Sequence, residues 1–200
     1  DAVTWAATPE GARAVEDESQ VARRAGLPVD DDPRTDLPFA VRRAVTLRDQ
    51  VQVDPLDLVD ALRAELADAG GTVLEGVRVT GASLRPPYRV RTTAGEVHAG
   101  HVVLATQTPV LDRSAHFARL RAVRSHARAY TVPDGPTLPR SMSLSLDPSA
   151  SRSLRTSPDP VTGGELLLVG GEGHEVGRAS SERGHEDRLE RWTQEWFPGA

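Results

Sequence analysis

Cysteine is absent from the 200 residues. That excludes disulfides, thiolate metal centres and iron–sulfur ligation within this chain. All 24 basic residues are arginine, so a Schiff-base amine and a phosphate-loop lysine are excluded too. Isoleucine and asparagine are also missing, a bias that points to a GC-rich coding sequence. Aromatic residues make up 4%, so a core must rest on Leu, Val and Ala. No apolar run approaches the ~18 residues of a membrane span. No G-x-S-x-G stands out to mark a serine nucleophile. Asp1 to Thr4 lack the basic and apolar stretches of a targeting segment, and a cytoplasmic protein with no membrane partner is expected.

What is present is ordinary for a folded chain: 38% hydrophobic, 26% charged, net charge −5. A pI near 5.7 argues against general nucleic-acid binding. The length suits one domain, or one and a half. The abrupt start without Met predicts an internal fragment.

Local signals set out the elements. Thr8-Pro9 reads as an N-cap with Pro at N1 and Gly26 as a stop, which predicts a helix over 9–25 with Ala12, Val15, Val21, Ala22 and Ala25 at helical spacing. The acidic, Pro-punctuated stretch 30–38 is loop. Val45-Leu47 and Val51-Val53, parted by Asp49, predict a hairpin. Asp54-Pro55 opens a helix over 55–69 that ends at Gly70-Gly71, with Leu56, Val59, Leu62, Ala64 and Leu66 as its buried face. Short strands follow: 72–74, 77–84 with a bulge at Gly81, and a pair over 88–92 and 96–99 turning at Ala94-Gly95. The apolar run 101–106 predicts a parallel strand buried on both faces. Alternation over 124–132, 141–146, 152–156 and 165–169 predicts an antiparallel meander. A last helix over 181–197 turns Leu189, Trp192, Trp196 and Phe197 inward.

Few residues announce chemistry. Gly170, Gly171, Gly173 and Gly177 follow an apolar strand, but their spacing misses the dinucleotide fingerprint. A flexible turn is the plainer reading; the other is close backbone approach to a flat ligand, with His174 beside it. His98 and His101 need not converge, so no metal site is expected. His116, His126 and His185 read as surface or loop residues. Glu182, Glu186 and Glu190 recur every four residues, the mark of a solvated helix face. Arg152 and Arg155 could clamp an anion, although an exposed pair is the more ordinary reading. No catalytic residue is singled out.

Two blocks add a family pattern. The first is Asp49-Gln50-Val51-Gln52-Val53-Asp54-Pro55, a helix, Gly70-Gly71, Glu75 to Gly81, a meander, and Val102-Val103-Leu104-Ala105-Thr106. It resembles the middle of FAD-dependent oxidoreductases of the D-amino-acid oxidase-like (DAO) family. The second is Arg152-Ser153-Leu154-Arg155, then Leu167 to His174, then a helix ending Trp196-Phe197-Pro198. It resembles the branch that often carries a C-terminal Rieske [2Fe–2S] domain. The family's G-x-G-x-x-G loop is missing here. The aromatic usual near Ser143 is also missing, and Glu175 stands where a Lys is common.

The resemblance implies an α+β (mixed α/β) fold: a mostly antiparallel substrate-binding sheet flanked by helices, plus part of the FAD-binding domain. Residues 1–48 would begin the substrate-binding region. Residues 49–110 would be the partial FAD-binding region, and 111–200 the sheet and final helix. FAD would meet Val79, Ala105 and Thr106. Ser143, Arg152, Arg155, Gly170, Gly171 and His174 would lie near flavin and substrate. The parent enzyme would oxidise an amine, an amino-acid-like molecule or a related small substrate by hydride transfer to FAD. A Rieske or ferredoxin-type protein would be the electron partner, with any [2Fe–2S] centre outside this chain, and the isolated chain would be inactive. The alternative is a non-catalytic small-molecule-binding or interaction module that keeps the sheet without flavin.

Overall fold

The structure is a computed structural model that describes residues 1–108, 115–132, 137–177 and 181–200. The chain divides into two compact units. One joins Asp1–Gln52 to Ala122–Ala200, and the other is Val53–Arg121.

The first unit is built on a seven-stranded sheet. Its strands are β1 (Ala2–Ala6), β2 (Val29–Asp30), β3 (Arg43–Leu47), β7 (Val123–Thr131), β8 (Met142–Ser145), β9 (Arg152–Pro158) and β10 (Glu165–Glu175). They lie in the order β2-β3-β1-β8-β9-β10-β7. Only β1 and β8 pair in parallel; the other ladders are antiparallel. The second unit holds α2 (Pro55–Asp68) and a three-stranded antiparallel sheet of β4 (Val79–Ala82), β5 (Tyr88–Thr92) and β6 (Gly95–Ala99). The fold is mixed α/β with a mostly antiparallel main sheet.

Helix α1 (Pro9–Arg24) forms where its signals lie. Thr8 Oγ1 accepts from Gly11 N at 3.0 Å, Pro9 is at N1, and Arg23 and Arg24 oppose the C-terminal dipole. Gly26 takes φ 82°, the left-handed geometry in which glycine ends helices at least cost. Its buried stripe is Gly11, Val15, Ser19 and Ala22. Val21, an expected core residue, is half exposed; Ser19 takes the inward position because it lies four residues after Val15.

The two helices of this unit cover opposite faces of the sheet. Helix α1 packs with Ala6, Val29 and Val45. Helix α3 (Glu182–Trp196) and Phe197 lie on the other face, where Leu189 and Phe197 join Val3, Trp5, Leu154, Leu167 and Val169. Strand alternation explains this division, because successive residues point to opposite faces. Four rings knit the α3 side together: Phe39 stands 4.9 Å from Trp5, 5.5 Å from Trp192 and 5.2 Å from Trp196 between centroids.

Several expectations are corrected. Residues 101–106 form no strand and are exposed. A buried parallel strand needs neighbours on both edges, and no described strand pairs with this run. Residues 51–53 and 72–74 are not strands either; β3 pairs with β1 and β2 instead. Helix α2 has its Asp54 cap, with Leu56 N donating to Oδ1 at 2.8 Å, but none of its residues is buried. Periodicity marks a stripe that could be covered without naming a cover. The run Gly170–Glu175 is not a flexible turn but the second half of β10. The bulge at Gly81 is present, as a register shift between Val79 and Gly81. Among the described residues no helix is long and apolar enough to cross a membrane.

Candidate functional site

The face of the main sheet beside α1 carries an open trough of about 700 Å³, a size typical of small-molecule sites. Strand register builds it from two cross-sheet rows. One row is Thr4, Leu144, Ser153, Gly170 and Ala127, set side by side by pairings through β1, β8, β9, β10 and β7. In the next, Arg155 faces Leu168 and Leu168 faces Ala129, while Ala2 faces Met142. All of these residues line the trough. Its floor is smooth over Ser153, Gly170, Ala127 and Ala129, because none carries more than two side-chain heavy atoms. A Cβ at Gly170 would collide with Ser153 Oγ, so glycine keeps this part of the floor flat.

The trough holds one available positive charge. Arg128 contributes to the lining, but its guanidinium is on the opposite face, with Nη1 2.6 Å from Glu190 Oε2 and Nη2 3.4 Å from Glu186 Oε2. Arg155 has no ion pair with the described residues, and no carboxylate lines the trough. Ser153 and Thr4 add hydroxyls. The site therefore suits a flat, largely apolar molecule with an anionic group within reach of Arg155.

The other face, under α3, is a charged cluster. A bulge in β10 shifts the register between Gly171, which faces His126, and His174, which faces Arg124. Glu172 sits at φ 57° within it, and the extra residue turns His174 onto the His126 side. His126, His174 and His185 stack, with centroids 4.0 Å apart for His174 and His185 and 5.6 Å for His126 and His174. Glu172 accepts from Arg152 Nη2 at 2.7 Å and Arg188 Nε at 2.7 Å. Burial pushes its carboxyl pKa up, but Arg188 and Arg152 outweigh that and hold it below the usual range. Gly171 leaves room for this pairing: a Cβ there would stand 2.6 Å from the Ser151 carbonyl oxygen.

The expected site residues thus fall into three groups. Arg155, Gly170 and Ser143 meet at the trough, although Ser143 is in register with the inward-facing Leu154 and its hydroxyl is buried without a partner. Arg152, Gly171 and His174 lie on the α3 face. Val79, Ala105 and Thr106 belong to the second unit: Val79 is half exposed on β4, and Thr106 Oγ1 donates to Thr108 O at 2.8 Å.

Arg152 is not an exposed pair with Arg155, because strand neighbours alternate and three residues place them on opposite faces. His126 and His185 are not surface residues; their side chains are 13% and 16% exposed. Glu182, Glu186 and Glu190 reach Arg124, His126, His174, Arg128 and Tyr130 on the sheet, and Glu190 also accepts from Gln194 Nε2 on its own helix at 3.3 Å. His98 pairs with Glu96 at 2.7 Å. The floor residues Ala127 and Ala129 were not singled out in the sequence, though small residues alternating with Arg124, His126, Arg128 and Tyr130 were their trace.

Comparisons with known proteins agree with this architecture. A family model described as FAD dependent oxidoreductase (DAO) matches residues 2–200. No curated protein matches the chain. Among solved structures, glycine oxidase from Geobacillus kaustophilus is similar, with a TM-score of 0.65 and 19% identity, over 98% of this chain and 54% of that one. The likeness is one of fold, and the chain spans about half the length of that enzyme. With nearly its whole length matched, this chain belongs to the FAD dependent oxidoreductase family.

Proposed function

We propose that this chain supplies the substrate-binding sheet and part of the cofactor site of a flavin enzyme. The enzyme oxidises a small amine or amino-acid-like molecule by hydride transfer to FAD. The observation that carries the reading is the trough: a smooth apolar floor with one uncommitted guanidinium and no carboxylate.

The residues suit the group. Ala127, Ala129, Gly170 and Ser153 leave a flat surface on which a ring system can lie without meeting a long side chain. In the second unit β4 is an edge strand, so one side of the Val79 backbone is free of a strand partner and suits contact with the adenine end. Ala105 and Thr106 are exposed and small, and are proposed to flank the dinucleotide. FAD, when bound, supplies the two-electron acceptor.

This chain's residues do the positioning. Arg155 holds a substrate carboxylate through its planar fork. Leu144, Leu168 and Met142 shield the substrate's apolar part from water. Ser153 and Thr4 offer hydroxyls to its polar edge. Fixing the substrate at two points limits it to one orientation over the floor, and such positioning lowers the barrier by removing orientational freedom before reaction. With no cysteine in the chain, the proposed iron–sulfur electron partner lies on another segment or protein.

The test is spectroscopic. The whole enzyme that contains this chain, reconstituted with FAD, is expected to retain the flavin through gel filtration. The bound flavin should bleach on anaerobic addition of an amino acid or small amine bearing a carboxylate. No retained flavin at excess FAD would overturn the cofactor reading. Retained flavin that no amine or amino acid bleaches would overturn the substrate class.

A further inference from the structure

The cluster under α3 has a feature that its ion pairs do not explain. His126 Nε2 and His174 Nε2 are both shielded from solvent and both lack a hydrogen-bond partner. They stand 3.4 and 3.5 Å from the same atom, Glu182 Oε2. A charge-assisted hydrogen bond would draw such atoms to about 2.7–2.9 Å. Two first-shell donors on one tetrahedral ion, bound at about 2.0–2.2 Å, stand about 3.4 Å apart. Octahedral neighbours at those bond lengths would stand about 3.0 Å apart. The two separations from Glu182 Oε2 match the tetrahedral edge.

The outer contacts prepare the same donors. His174 Nδ1 lies 3.0 Å from the Glu172 carbonyl oxygen, which only accepts, so that ring carries its proton on Nδ1 and leaves the Nε2 lone pair free. His126 Nδ1 faces Glu186 Oε1 at 3.9 Å. Arg124 Nη1 donates to Glu182 Oε1 at 3.0 Å, which leaves Oε2 to the histidines. Ser181 caps α3 through Gly184 N at 3.2 Å and fixes the turn that carries Glu182. The β10 bulge sets His174 beside His126. Strand, bulge and helix cap thus each deliver one donor, and the three donor atoms lie within 4.8 Å of one another.

We propose that His126, His174 and Glu182 bind one divalent transition-metal ion of zinc type. Imidazole nitrogen and carboxylate oxygen are the donors such an ion takes. The fourth position is left to water, on the side where Glu182 is 46% exposed. His185 is not a ligand: its Nδ1 is engaged by Arg188 Nη2 at 2.6 Å and Glu172 Oε2 at 3.2 Å, and the converging donor atoms are those of His126, His174 and Glu182. The ion pins the first turn of α3 to β7 and β10. This site lies on the opposite face of the sheet from the trough, so the inference does not depend on the flavin reading.

The full chain, stripped with a chelator and dialysed, is titrated with Zn2+ at neutral pH by calorimetry. In parallel, Co2+ is added as a coloured probe of tetrahedral geometry. One Zn2+ per chain and a tetrahedral-type Co2+ spectrum are expected. Glu182→Gln, His126→Asn and His174→Gln are each expected to weaken Zn2+ binding by more than about tenfold, the least that losing an outer partner costs. His98→Ala, at the exposed pair with Glu96, is expected to leave binding unchanged. Circular dichroism checks folding: Glu182→Gln alters a half-exposed side chain and is expected to keep the wild-type spectrum. Absence of one-to-one binding, or equal affinity in a folded Glu182→Gln variant, overturns the site.

Discussion

Arg152 and Glu172 form an ion pair 2.7 Å long whose side chains are only 5% and 8% exposed. They come from facing strands, and Arg152 also stands 5.5 Å over the Trp192 ring. Charges so far out of water are stable only while paired: Glu172 has both Arg152 and Arg188, whereas Arg152 has Glu172. Glu172→Leu alone is expected to cost about 3–5 kcal/mol in urea denaturation, because Arg152 keeps its buried charge. Glu172→Leu with Arg152→Met should recover most of that loss. A single variant that unfolds at the wild-type midpoint would show that water reaches the pair.

The fold was legible wherever a local rule governs it. Thr8, Asp54 and Ser181 cap helices, Gly26 ends one, and hydrophobic alternation marks β7 to β10. Strand β1 carries no local signal although it lies inside the sheet, between β3 and β8. Five residues, Ala-Val-Thr-Trp-Ala, carry too short a pattern to stand out, and burial comes from partners far along the chain. The run 101–106 failed in the opposite way, since apolar content states a capacity for burial and not its fulfilment. The trough floor depends on register among β7, β9 and β10, and the trough's far side on register between β1 and β8, more than 100 residues apart. The histidine cluster depends on a bulge hidden among glycines that read as a turn. Neither register nor bulge is a local property: alternation alone puts Arg152 and Arg155 on opposite faces, but which of the two meets the trough is decided by the flanking strands.

Asp147 ties β8 to the start of α1. Its carboxylate accepts from Ala7 N at 2.9 Å, Thr8 N at 3.0 Å and Thr8 Oγ1 at 2.6 Å. Burial pushes its pKa up, but the Thr8 hydroxyl and the Ala7 and Thr8 amides outweigh that and hold it below the usual range. A depressed folded-state pKa stabilises the protein above the unfolded value, about 3.9. That stabilisation is lost as pH falls through the folded value. Asp147→Asn is expected to cost about 1–3 kcal/mol at neutral pH. The gap between variant and wild type should narrow in acid. Urea midpoints measured from neutral pH into acid check this, and a gap that widens in acid would reverse the assignment.

Arg155 is held by no acid among the described residues, so its removal tests function apart from folding. Arg155→Met is expected to change stability by no more than about 0.5 kcal/mol. It should raise KM for a carboxylate substrate by roughly tenfold or more, the worth of a hydrogen bond to a charged group. Arg155→Lys should restore only part, because an ammonium cannot match a carboxylate with two parallel donors. Steady-state kinetics of the flavin-loaded whole enzyme decide it. Unchanged KM in the Met variant would remove Arg155 from substrate binding.

Ala129 tests the flat floor itself. It faces Leu168 across the β7–β10 ladder and is exposed, so a larger side chain meets open space and not the core. Ala129→Trp is therefore expected to fold with a urea midpoint close to that of wild type, since exposed substitutions rarely move stability by more than about 0.5 kcal/mol. The indole would stand across the region proposed for the ring. Any ligand lying flat there must either lose contact with the floor or displace the indole. In the whole enzyme, flavin retention after gel filtration should fall in Ala129→Trp and hold in Ala129→Ser, whose side chain adds a single heavy atom. If Ala129→Trp folds and keeps its flavin as firmly as wild type, the ring does not rest on this face. The trough would then belong to substrate alone, and Ala129→Trp should raise KM in place of lowering flavin content.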